Sequence, residues 1–258
     1  MLGALVGGWA AAFFAAAALL WSPAIAAGWS TLSSVWLTGC FHEDGLADSF
    51  DGFGGGWGKI QILRIMKDSR IGTYALVGML LVLHIKMHAL EAITGMYGVE
   101  GTVRALVVAH TVSRWTALPL IYWCNYLQDE EDAKRGLYNH FADSKLLLTL
   151  PRMLLGTVVA VTVPFYLLSN VQAMAVCLTV GFVTVAAAMY SNAILGGVMG
   201  DYLGATISIA ELLVYATLCA EWSRLDSLES CKPLLVLTGV AALPIIYSRR
   251  IVDFKGAC

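Results

Sequence analysis

Long apolar runs dominate the chain, and three polar stretches interrupt them. The runs lie near residues 2–21, 24–41, 72–93, 103–124, 152–169, 171–190, 205–221 and 233–247. Most approach or exceed the roughly 20 residues that a membrane-crossing helix needs. Lipid offers the backbone no hydrogen-bond partners, so spans of this kind form helices. The pattern predicts an all-α fold, a polytopic transmembrane bundle of about seven or eight helices. Residues 1–258 read as a single integral membrane domain. The polar interruptions are residues 42–71, residues 125–145 and the tail SRRIVDFKGAC.

Composition supports that reading. The 258 residues are 59% hydrophobic and 13% charged, against about 25% charged in an ordinary soluble domain. The net charge is only −2 and no basic tract occurs, which argues against nucleic-acid binding. None of Cys40, Cys124, Cys177, Cys219, Cys231 and Cys258 forms a C-x-x-C pair, so neither a cysteine metal site nor a disulfide framework is indicated. Residues 1–27 imitate a signal peptide but carry no Lys or Arg before the apolar stretch. A first membrane helix, in a chain that starts late, is the expectation.

Charge placement suggests an orientation. Arg249, Arg250 and Lys255 follow the last span, and Lys59, Arg64, Lys67 and Arg70 follow the acidic stretch. The positive-inside rule puts both on the cytoplasmic side of the cell inner membrane. The 125–145 stretch, with Asp129, Glu130, Glu131 and Asp132, mixes both signs and reads as a solvated connection.

The segment HEDGLADSFDG, residues 42–52, is the chemical signal. In a helix, Asp44, Asp48 and Asp51 fall at spacings of four and three and share one face. Like charges so placed repel, and a divalent cation is the economical compensation. Hard carboxylate oxygens, with phosphate completing the shell, describe a magnesium site. The plainer alternative is a solubilising loop. Gly45 and Gly52 argue against a perfect helix and would let substrate approach the backbone. The glycines of GFGGGWG, residues 52–58, read as a linker in preference to a phosphate cradle. In LRIMKDSRIG, residues 63–72, Arg64, Lys67 and Asp68 share a face if helical and could clamp phosphate and metal. Anchoring to lipid headgroups is the competing reading, and Arg70 fits it better.

Ionisable groups inside apolar spans mark function. Lys86 and Arg114 are such groups, and Asp201, Ser208 and Glu211 lie on neighbouring parts of one helical face. His84, His88 and His110 read as packing residues. Lys86 could instead snorkel. Together, carboxylates for magnesium and cations for phosphate suit phosphoryl transfer.

Three motifs carry a family resemblance. TGCFHEDGLADSFDGFGGG and RIMKDSRIGTYA, followed by GDYLGATISIAELL, resemble the cobalamin synthase family of adenosylcobinamide-GDP ribazoletransferases. SRWTAL and Lys86 resemble further family features, and the matches run in family order to about residue 215. The resemblance implies that the adenosylcobinamide phosphate group passes from adenosylcobinamide-GDP to the 5′-hydroxyl of alpha-ribazole, or of its 5′-phosphate, releasing GMP. It implies a membrane-bound, Mg2+-dependent enzyme, with other cobalamin-assembly enzymes as neighbours. Carried over, Asp44, Asp48, Asp51 and Asp68 become candidate metal ligands or base, with Lys86 also in the catalytic set. Asp201 and Glu211 join as metal ligands, and Arg64, Lys67, Arg70 and Arg114 as phosphate-binding residues. The chain departs from the family pattern at Cys40 (usually glycine), at Glu43 (usually apolar) and at Ser208 (usually glutamate). A polar segment with an Arg-Leu-Pro element is also missing ahead of residue 1.

Two other readings compete. A CDP-alcohol phosphotransferase also spaces aspartates as D-x-x-D-G, which Asp48–Gly52 fits, but it then needs x-x-A-R where this chain has Phe53-Gly54-Gly55-Gly56, and its later G-x-x-x-D-x-x-x-D is missing. A small-solute transporter could use the same intramembrane acids.

Overall fold

The computed structural model describes residues 1–127 and 147–220. Among these residues the elements are helical: α1 (Leu2–Ala17), α2 (Pro23–Leu37), α3 (Phe41–Gly55), α4 (Lys59–Met66), α5 (Thr73–Trp115), α6 (Ala117–Trp123), α7 (Leu150–Leu167), α8 (Asn170–Ile194) and α9 (Gly200–Leu218). Four stretches are long and apolar enough to cross a membrane: Thr73–Trp123, Leu150–Leu167, Asn170–Ile194 and Gly200–Leu218. The protein is therefore an all-α membrane bundle. The 233–247 span, the basic tail and most of the 125–145 connection lie outside the described residues.

The spans expected at 72–93 and 103–124 join through one interruption. Gly98 has φ 70° and ψ −176°, a conformation that side chains with a Cβ rarely adopt. Across it the chain reverses. Thr94 Oγ1 and Thr102 Oγ1 meet at 2.9 Å, whereas eight residues of straight helix would separate them by about 12 Å. Thus α5 is a hairpin of two helical arms, and residues equally far from Gly98 on either arm lie at one depth.

Around this hairpin α1 and α9 pack most extensively, with α3, α2 and α7 completing its surroundings. The main core joins Phe14 of α1, Leu90, Ile93, Leu106 and Val112 of both arms, Val176 of α8 and Tyr215 of α9. Helix α3 lies along α9. A Cβ on Gly45 would come within 2.8 Å of the Asp201 Cα, so the glycine expected to admit substrate instead admits a neighbouring helix. At Gly52 a Cβ would fall 2.4 Å from the Met66 side chain. The helix is unbroken at both positions. Phe53 adds ring contacts to Tyr190 and Tyr202, at 5.2 and 5.7 Å.

Candidate active site

The acidic motif is placed by a tight entry and a long helix. Gly39 (φ 64°) and Cys40 (φ 59°) turn the chain from α2 into α3. From there α3 carries Asp44, Asp48 and Asp51 along one side, as their spacing dictates. Asp201 stands in the first turn of α9, against Gly45. Asp48 records the crowding. Burial, then the carboxylates of Asp201, Asp44 and Asp51, push its carboxyl up to about 7. Acids from segments about 150 residues apart thus share one field, and the Lys67 charge reaches Asp201.

The other acids of the motif have different attachments. Asp51 accepts hydrogen bonds from the backbone N–H of Gly72 (2.6 Å) and of Ala75 (2.9 Å). Both oxygens therefore cap the start of α5, where unpaired N–H groups favour an anion. Asp68 lies beyond α4, which ends at Met66 before the face with Arg64 can form. Its carboxylate accepts from Arg70 Nε at 2.9 Å and from Arg70 Nη2 at 2.5 Å. That guanidinium holds the Asp68 carboxyl down at about 2. Asp51, Asp68, Arg70 and Tyr74 border an open groove of about 500 Å3. Arg64 is exposed in the last turn of α4.

A second polar centre sits inside the bundle. Lys86 Nζ lies 2.5 Å from Glu211 Oε1. His110 Nδ1 lies 3.1 Å from Glu211 Oε2, and Arg114 Nη1 is 4.0 Å from the same oxygen. The Tyr215 hydroxyl donates to Glu211 at 3.4 Å. The Gly98 reversal explains the grouping: Lys86 and His110 each stand 12 residues from that glycine. Glu211 is thus engaged by the hairpin's cations and is not grouped with the aspartates. From α3, Glu43 faces the same centre: burial pushes its carboxyl up, and Lys86 opposes this. Burial, then the Arg114 charge, lowers the neighbouring His42 to about 4.

Apart from exposed Arg64, the expected site residues therefore separate into three groups. Asp44, Asp48 and Asp201, with Lys67 close by, form the carboxylate cluster; Asp51, Asp68 and Arg70 border the groove; Lys86, Arg114 and Glu211 form the buried centre. His110 reads from sequence as a packing residue and Glu43 only as a departure from the family pattern, yet both belong to the buried centre. The spacing of four between His110 and Arg114, joined by a 3.0 Å contact, was the available signal for His110. For Glu43 it was the departure from an apolar position.

The cluster's chemistry suits a hard cation: burial first, and then three neighbouring carboxylates, raise Asp48, and cation binding would relieve the carboxylate part of that shift. As placed, no three His, Cys, Asp or Glu side chains among the described residues close on one point.

Fold and site together define a multi-pass membrane protein with a carboxylate cluster at one end of its bundle. The chain belongs to the cobalamin-5-phosphate synthase family, whose model matches residues 1–219. A protein of Leptothrix cholodnii named adenosylcobinamide-GDP ribazoletransferase is 38% identical over 218 residues, 83% of this chain and 80% of its own. Proteins of the same name from Shewanella oneidensis and Shewanella piezotolerans are 38% and 35% identical. They align over 73% and 84% of this chain and over 69% and 81% of their own lengths. No solved structure matches.

Proposed function

We propose that the protein joins the two halves of a cobalamin. The adenosylcobinamide phosphate group moves from adenosylcobinamide-GDP to the 5′-hydroxyl of alpha-ribazole, or of alpha-ribazole 5′-phosphate. The products are adenosylcobalamin, or its 5′-phosphate, and GMP. Family membership over residues 1–219 supports the reaction class, and the relatives' name supplies the substrates. The observation that carries the site is that the charges of Asp201, Asp44 and Asp51 all reach Asp48, whose carboxyl burial and these neighbours push up to about 7.

In this reading the hydroxyl oxygen forms a bond to the cobinamide-linked phosphorus. The phosphoanhydride bond to GMP breaks, and the hydroxyl proton passes to a carboxylate. An acid of the cluster not committed to metal would accept that proton. Mg2+ held by Asp44, Asp48 and Asp201 would supply charge neutralisation for the diphosphate. Lys67, whose charge reaches Asp201, is positioned to meet phosphate oxygens, with exposed Arg64 nearby in sequence. Lys59, Arg64, Lys67 and Arg70 on this end of the bundle favour a cytoplasm-facing site in the inner membrane.

The test supplies membranes containing the full chain with both substrates and Mg2+. Mass spectrometry should detect the cobamide product together with one GMP per turnover. Absence of product with abundant folded protein overturns the proposal. Product formed equally well after complete chelation overturns the role of Mg2+.

A further inference from the structure

The first arm of α5 has two faces of different character. One turns inward and carries Lys86, Ala89, Leu90 and Ile93, all buried. The other carries Val77, Leu81, His84, His88, Glu91 and Gly95, at spacings of four, three, four, three and four. That alternation is the seam of two helices packed along their length. It is unoccupied by the rest of the described chain to a large degree: Leu81 is 55% exposed, and the side chains of His88 and Glu91 are 58% and 42% exposed.

Three titratable residues at the middle of the seam are linked to one another. His88 Nδ1 lies 3.2 Å from Glu91 Oε2, and His88 Nε2 lies 3.1 Å from His84 Nε2. By helical rise His84 and His88 stand about 17 and 23 Å from Thr73. Both depths fall within a hydrocarbon layer about 30 Å thick. Acyl chains provide no partners for imidazole or carboxylate, so polar groups at this depth turn toward other helices.

We infer that this stripe is the contact face between two copies of the chain, packed side by side with the same orientation in the bilayer. A second copy is favoured by charge complementarity. The seam holds imidazole donors and a carboxylate acceptor within two helical turns, and two copies of equal topology meet at equal depth. The linked His84, His88 and Glu91 of each copy then face those of the other across the seam. Gly95, with nothing within 4 Å of where its Cβ would stand, allows close approach below the polar layer. The seam lies on the opposite side of the helix from Lys86 and its partner Glu211, so each copy keeps its own buried centre.

Oxidative cross-linking of full-length Leu81→Cys in native membranes tests this. A covalent dimer is expected beyond the level given by the parent's own cysteines, while Leu154→Cys on α7 gives none. In nanodiscs, mass photometry should find the parent chain dimeric and a His84→Leu/His88→Leu/Glu91→Leu variant at least ten-fold more dissociated. A monomeric parent overturns the inference, as does a variant that stays dimeric. So does Leu81→Cys bonding to Cys231 or Cys258 of its own chain, or to a different protein. If the triple variant does not fold, the cross-link decides alone.

Discussion

Lys86 Nζ and Glu211 Oε1 lie 2.5 Å apart, with both side chains 8% exposed. The pair ties the first arm of α5 to α9, and His110 and Arg114 bring in the second arm. Removing one member of a buried pair strands a charge, at a cost of about 3–5 kcal/mol. Glu211→Gln, which leaves Lys86 and Arg114 without their shared carboxylate, should therefore sharply lower the melting temperature of detergent-solubilised protein. Lys86→Met should cost less, because Glu211 keeps His110 and Arg114. The double variant should cost less than the sum. Additive losses would show that the two residues do not interact.

Asp48→Asn should lower GMP release about 10²-fold or more, the scale of losing one electrostatic contributor at a reacting centre. Protein abundance in the membrane should not change. Asp44→Asn and Asp201→Asn should follow the same pattern. Turnover near the parent rate in all three would remove the carboxylate cluster from the mechanism.

Asp51 separates capping from ligation. Asp51→Ala should destabilise by about 1 kcal/mol, the usual cost of losing a helix cap, measured as a lower melting temperature. Asp51→Asn still offers one acceptor oxygen to the start of α5 and should keep most of the stability and most of the activity. If Asp51→Asn is as inactive as Asp48→Asn while equally stable, Asp51 binds metal or substrate.

The raised carboxyl of Asp48 predicts a pH dependence. Its value is about 7 in the fold against 3.8 without it. The folded state therefore binds the extra proton, and the stability this contributes is full below 3.8 and lost as pH rises through about 7. His42 acts oppositely: its value of about 4 lies below 6.5, so its contribution is present above 6.5 and lost as pH falls through about 4. Comparing the parent with Asp48→Asn isolates the first effect. In chelator, the parent's melting temperature should fall, relative to the variant's, between about pH 4 and pH 7. Saturating Mg2+ should shrink that difference. Parallel curves would refute it.

Cys40 occupies a left-handed conformation, φ 59°, which costs an ordinary residue about 1–2 kcal/mol. Cys40→Gly relieves that strain, although glycine's freer unfolded chain offsets part of the gain. The variant should melt at a higher temperature with unchanged turnover. A lower melting temperature would mean that the Cys40 side chain contributes more than its backbone strain costs.

By itself the sequence determined the membrane bundle, because apolar length and a backbone that must satisfy its own hydrogen bonds leave helices as the answer. It also determined that Asp44, Asp48 and Asp51 would share a helical face, since their spacing matches the helical period. Only the tertiary structure decided what each charge does. The separate spans at 72–93 and 103–124 implied a reversal, but not that it would turn at Gly98 and so set Lys86 and His110 at one depth. Without that reversal Lys86 and Arg114 would lie on separate levels; with it both reach Glu211, which is held apart from the aspartates. Asp51 looked equal to Asp48 in spacing, yet the start of α5 takes both its oxygens. Periodicity is a local property of the backbone, whereas the partner of a buried charge is set by segments that only folding brings together.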